Sequence, residues 1–74
     1  MIDVNMNPAT QRKISVLVRL VRERRVSLQQ LRSAFAVSER TVLRDLHDLR
    51  EVGKAVGFAI GDRDPAGMVS LTEF

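Results

Sequence analysis

Apolar residues recur at helical spacing three times along this chain, and then the period drops to two. From Thr10 to about Arg24, Ile14, Leu17, Val18 and Val21 follow the i, i+3, i+4, i+7 rule and predict an amphipathic helix with an inward stripe. Asn7-Pro8 marks its start. Asparagine caps, and proline suits the first turn because its missing N–H has no helical partner there anyway. Val16 and Leu20 fall off the stripe, on a flank nearer Lys13 and Glu23. Two readings stay open for that pair: Leu20 widens the core face while Val16 is exposed, or the two form a small dimer or partner contact.

Arg25-Val26 is compatible with one or two residues of strand. Ser27-Leu28-Gln29-Gln30 then reads as a capping box, opening a second helix over about residues 28–35 with Leu28, Leu31 and Phe35 inward. Ala34, Ala36 and Val37 suit a close turn between packed helices. Ser38 caps a third helix over about 39–52, with Val42, Leu46 and Leu49 on its buried face and Gly53 at the left-handed C′ place. After Gly53, Val56, Phe58 and Ile60 alternate, as do Val69 and Leu71, predicting strands over about 55–60 and 68–73. Within the intervening Gly61–Gly67, Asp64-Pro65-Ala66-Gly67 fits a type I turn. The expected fold is mainly α with a small β-hairpin: a three-helix winged helix-turn-helix over residues 10–74, preceded by an arm at 1–9. Residues 1–7 show no clear period and read as a loose arm or a short edge strand.

Length and composition narrow this further. Seventy-four residues make one domain, and a chain this short buries only ~60% of its unfolded surface, so it must pack well or borrow stability from a partner. At 45% apolar residues it has enough for a core. It contains no cysteine, hence no disulfide framework and no thiol chemistry. The apolar segments are short and interrupted by charge, and the N-terminus lacks the basic start and apolar run of a secretory signal. A cytoplasmic protein without a membrane span is expected. Charge is divided: residues 1–37 hold seven basic side chains against two acidic (+5), whereas residues 38–74 hold five against seven (−2).

The candidate chemistry sits on the third helix. At 100° per residue, Arg40, Arg44, His47 and Glu51 cluster within about 60° of one another, opposite Val42, Leu46 and Leu49. Two helices joined by a tight turn, the second presenting a cationic row, match the unit that enters a DNA major groove. In that reading Arg40 forks onto guanine, Arg44 reaches base or phosphate, and Ser27, Ser38 and Thr41 serve phosphates at helix starts. The plain alternative is a solvated face with i, i+4 pairs such as His47 with Glu51, and for His47 alone it is preferred. Asp45 is expected to be structural, paired with an arginine such as Arg32. Glu39 complements the helix dipole yet points an anion toward any phosphate. At the wing tip Arg63 stands between Asp62 and Asp64, so the wing offers DNA one cation or none. Arg19, Arg22, Arg24 and Arg25 form the densest basic run, explained either by the first helix's dipole or by an acidic or nucleic-acid partner. Catalysis has no nucleophile–base constellation, and His47 with Asp48 lacks the ligands and spacing of a metal site. No cofactor or small-molecule site is expected.

One string is more specific than periodicity. Val26-Ser27, Leu31, Phe35, Val37-Ser38, Arg40-Thr41-Val42, Arg44-Asp45-Leu46, Leu49 and Gly53 together resemble the N-terminal winged helix-turn-helix of DeoR-type and WYL-type bacterial transcription regulators. The resemblance covers about residues 12–72. It implies a sequence-specific transcription regulator that binds double-stranded DNA, with a homodimer as the expected assembly. Two departures stand out. Those families usually carry a ligand-sensing or WYL domain after the wing, whereas this sequence stops at Phe74, so no effector site is expected in it. Position 43, where relatives often aim arginine or tyrosine at DNA, is Leu43. Leu43, the acidic second half and the Asp-flanked wing tip also motivate a competing reading: a winged helix that binds a protein instead of DNA.

Overall fold

A computed structural model describes residues 7–73. Most of the expected arm, residues 1–6, lies outside the described residues.

Helix α1 runs Pro8–Glu23, two residues earlier than the stripe alone predicts, because Asn7 is the cap. The Thr10 N–H donates to Asn7 Oδ1 at 2.8 Å. Strand β1 is Arg25–Ser27 and helix α2 is Leu28–Phe35. The capping box is complete: the Gln30 N–H donates to Ser27 Oγ at 2.9 Å, and the Ser27 N–H donates to Gln30 Oε1 at 3.3 Å. Helix α3 is Glu39–Val56, with the Thr41 N–H donating to the Ser38 hydroxyl oxygen at 3.2 Å. Strands β2, Ala59–Ile60, and β3, Met68–Glu73, complete an antiparallel sheet in the order β1-β3-β2. Val26 faces Val69 in one pairing and Ile60 faces Leu71 in the other. The fold is a winged helix-turn-helix.

Every element feeds one core. Val16 and Leu20 come from α1, Val26 from β1, Leu28 and Leu31 from α2, Val42, Leu46 and Leu49 from α3, and Phe58, Ile60, Val69 and Leu71 from the wing.

Helix α1 faces the core with the side opposite to the one its periodicity predicts. Val16 is 2% exposed and Leu20 fully buried, whereas Ile14 and Val18 are 45% and 48% exposed and Val21 also lies outside. Neither Val16 nor Leu20 can therefore serve as a dimer or partner contact. The cause is on α3. Asp45 is 1% exposed, and its carboxylate is met by Arg12, which shares a face with Val16 and Leu20. Rotating α1 to bury the longer stripe would expose Val16 and Leu20 and gain only about 1–2 kcal/mol net. Stranding a buried carboxylate would cost about 3–5 kcal/mol. The ion pair decides the rotation, and the partner of Asp45 is Arg12 instead of Arg32.

Helix α3 also continues one turn past its expected end. Gly53 lies inside the helix, and the left-handed cap is Gly57, at φ 103° with its N–H on the Gly53 carbonyl at 2.8 Å. Gly53 is required for a different reason: a Cβ there would strike the Phe58 carbonyl oxygen and lie 2.9 Å from the ring carbon Cδ1. The chain thus folds back over the helix end and brings Phe58 into the core. Val56, expected in a strand, is the last helical residue and is 69% exposed. Strand β2 is correspondingly short.

Candidate nucleic-acid interface

The candidate interface lies where two helix starts and the wing tip converge. The N–H of Leu28, at the start of α2, donates to the Gly67 carbonyl at 2.9 Å, so the wing satisfies an orphan donor of that helix. The tip itself is an Asp-nucleated turn. Asp64 Oδ1 accepts from the Ala66 and Met68 N–H groups at 2.9 and 3.0 Å, and the Gly67 N–H closes the turn on the Asp64 carbonyl at 2.9 Å. The Met68 N–H, followed by the Arg25 guanidinium at 2.9 Å, holds the Asp64 carboxyl below its ordinary pKa. Arg63 donates to Glu39 at 3.1 Å, fixing the tip beside the start of α3.

On α3, Arg40, Arg44 and His47 are exposed, on the side away from Val42, Leu46 and Leu49. Among the described residues, neither Arg40 nor Arg44 makes a hydrogen bond or an ion pair within the chain. Ser38 lends its oxygen to the Thr41 amide and donates to Thr41 Oγ1 at 3.1 Å, which leaves the Thr41 hydroxyl proton for an outside acceptor. Ser27 Oγ is likewise an acceptor within its cap, with its proton available. Arg63 is placed next to α3 but is already engaged by Glu39. Leu43 is half-buried against the core, so it reaches outward only in part.

Among the described residues, each acidic group except Glu73 lies beside a cation. Glu39 meets Arg63; Asp45 meets Arg12; Asp48 meets Lys13 at 2.7 Å; Glu51 meets Lys54 at 2.9 Å. Glu23 pairs with Arg19, Asp62 lies 3.8 Å from Arg50, and Asp64 pairs with Arg25. The hydrogen bond from Lys13 lowers the pKa of Asp48, and that from Lys54 lowers the pKa of Glu51. Among the described residues, Arg22, Arg24, Arg32, Arg40 and Arg44 are the arginines left without an acidic partner. Six of the seven acids of the second half are thereby engaged internally, and unpaired positive charge remains on exposed guanidinium groups.

Three supporting cations were not legible as such. Arg12 holds Asp45 at 2.5 and 3.1 Å, a two-pronged geometry that also raises the pKa of its own guanidinium. Arg50 donates to the carbonyls of Ile60 and Gly61 at 3.1 and 2.8 Å and so ties the wing to α3. Lys13 joins α1 to α3 through Asp48. Only for Arg12 is there a sequence signal: it stands four and eight residues before Val16 and Leu20, on their face. A groove of about 330 Å³ opens beside Pro8, Gln11, Arg12, Ser15 and Phe35, and its one charged lining group, Arg12, is committed to Asp45. Among the described residues no cluster of three or more histidine, cysteine or acidic side chains could hold a metal ion, and no helix is long and apolar enough to cross a membrane.

A family described as an HTH domain matches residues 11–60, and the chain belongs to it. Helix-turn-helix domains as a class bind DNA, the second helix of the pair facing the major groove. Comparison with curated proteins and with solved structures gave no match.

Proposed function

We propose that this chain is a sequence-specific DNA-binding transcription regulator of the DeoR or WYL type that reads the major groove with α3 and acts as a homodimer. The observation that carries the reading is the freedom of Arg40 and Arg44: both are exposed and unengaged within the described residues, while the acids beside them are neutralised. Arg40, near the start of α3, forks onto a guanine edge, and Arg44, one turn on, reaches phosphate or base. Thr41 and Ser27 contact phosphates with their hydroxyl protons from the two helix starts, Ser38 does so only where it releases Thr41, and His47 lies at the far edge of the row. Arg63 contributes only where it releases Glu39.

The competing view, a protein-binding winged helix, drew on the acidic second half, and six of its seven acids are paired internally. Binding to random duplex DNA at a series of salt concentrations tests the proposal. Affinity should fall with a log–log slope of about −0.9 per phosphate neutralised. Selection from random oligonucleotides should then return a palindrome with half-sites about 34 Å apart. No binding at low salt would end the DNA reading.

A further inference from the structure

Helix α1 carries two apolar faces, and the core uses only one. Ile14, Leu17, Val18 and Val21 form a continuous ridge about 130° around the helix from Val16 and Leu20. Ile14, Val18 and Val21 are among the exposed large apolar residues of the domain, and Leu17 is half-buried at the edge of the core. Among the described residues, the others so exposed are Val52 and Val56, late in α3. None of this exposed set lies on α2, the wing or the first half of α3. Apart from Leu17, a ridge kept at i, i+3, i+4, i+7 spacing but turned to water adds nothing to the core, and a chain of this size gains from covering it.

We infer that the Ile14–Leu17–Val18–Val21 ridge of α1 packs against the same ridge of a second copy of this chain, the two helices crossing antiparallel about a two-fold axis near Leu17 and Val18. Charge selects this occupant. The cations that flank the ridge toward the core, Lys13 on one side and Arg19 on the other, are ion-paired within their own chain to Asp48 and Glu23. An acidic partner or an anionic surface therefore finds little to attract it there, while a second copy meets little repulsion. Arg22 is the flank cation without an ion pair among the described residues, and it stands at the C-terminal end of the ridge. An antiparallel crossing puts the two Arg22 side chains at opposite ends of the contact; a parallel one would bring them together. Self-complementarity also follows, with Ile14 of each copy meeting Val21 of the other. Four side chains per copy are few against the ~800 Å² per partner of a standard interface, so the free dimer is weak, dissociating in the micromolar range. Two adjacent half-sites on one duplex then raise the effective concentration and hold it together.

This surface gives a location to the proposed homodimer, and its test is separable from DNA binding. The chain has no cysteine, so single introduced cysteines report without background. Under mild oxidation V18C should form a disulfide-linked dimer in high yield, and S33C, on the exposed side of α2, should not. Sedimentation equilibrium across the micromolar range should show self-association in the native chain, and V18E should raise the dissociation constant about tenfold or more. V18E should keep its helical circular dichroism and its binding to a random duplex. A native chain that stays monomeric throughout, equal crosslinking of V18C and S33C, or undiminished association of V18E would each overturn the surface. If V18E does not fold, I14K read by the same sedimentation measurement replaces it, and the V18C comparison stands independently. A dimer that fails to bind DNA would leave this surface intact and remove the regulator reading; a DNA-binding monomer would do the reverse.

Discussion

The carboxylate of Asp45, buried on α3, receives two N–H groups from the guanidinium of Arg12, 33 residues earlier on α1. This pair sets which side of α1 meets the core. Truncating it as Arg12→Ala leaves a charge without a partner in a nearly dry site. The expected loss is about 3 kcal/mol, toward the lower end for a buried pair because Arg12 is itself partly exposed. For a domain of this size that is a large share of total stability and a fall in Tm of roughly 12–24 °C. The double variant Arg12→Leu/Asp45→Leu should recover most of it in thermal unfolding. A single variant as stable as the native chain would contradict the rotation argument.

Arg40 and Arg44 should separate in binding assays. Arg44→Ala should weaken binding to specific and random duplexes alike and reduce the salt slope by about 1. Arg40→Ala should relax preference at one base position, with a change of about 1–3 kcal/mol confined to the selected site. Equal losses for both variants on both duplexes would contradict this division of roles.

Glu39 and Arg63 hold each other beside the start of α3, within the proposed DNA-binding surface. Removing the anion as Glu39→Gln frees the wing arginine. Duplex affinity should rise several-fold at low salt, with a steeper salt slope, and the gain should shrink as salt screens it. An unchanged slope would mean that Arg63 stays off the DNA.

Gly53 and Gly57 should fail for different reasons. Gly53→Ala drives a methyl group into the Phe58 backbone, which cannot yield without moving the wing, so a loss of about 1–3 kcal/mol is expected. Gly57→Ala meets nothing within 4 Å but must hold a left-handed backbone, at about 1–2 kcal/mol. Denaturant midpoints measure both. The first variant alone should also alter amide exchange at Phe58 and in β2.

Acid should destabilise the domain through named carboxyls. Asp64, Asp48 and Glu51 all titrate lower folded than unfolded, because Met68, Lys13 and Lys54 respectively donate to the charged form. Their contribution is complete above the unfolded values, near pH 4, and disappears as pH falls through the lower folded ones. Thermal midpoints should therefore be insensitive to these groups above about pH 5 and drop below pH 4. Asp64→Asn, which keeps an acceptor for the turn, should flatten part of that drop. An unchanged acid slope would remove Asp64 from the account.

How much of this was legible depended on whether a signal was local. Ser27 with Gln30, Ser38 with Thr41, and Asp64 with Gly67 act over three residues, and the structure realises each where the sequence places it. The buried face of α3 was legible because it has only one apolar side. Helix α1 has two, and periodicity cannot say which of them turns inward. That choice rests on Asp45, far away in the chain. Gly53 and Gly57 posed a similar ambiguity: either could end a helix, and only the return path of Phe58 distinguishes them. Strand β1 was legible only as a trace, since three residues become a strand by pairing with β3. The exposure of Arg40 and Arg44 followed from the helical wheel. Their lack of an acidic partner among the described residues did not, because Glu39, Asp48 and Glu51 are claimed by cations from the wing, from α1 and from the next turn of α3.

The order β1-β3-β2 makes the third strand in chain order the centre of the sheet. A nascent chain that has reached Gly67 holds all three helices, but Val26 and Ile60 still lack Val69 and Leu71 between them. Until Met68–Glu73 emerges, the floor of the core is open and two short strands have no neighbour. The domain therefore closes only once β3 is made, and its tight wing turn, by delivering β3 between the other two strands, acts as the final fastening.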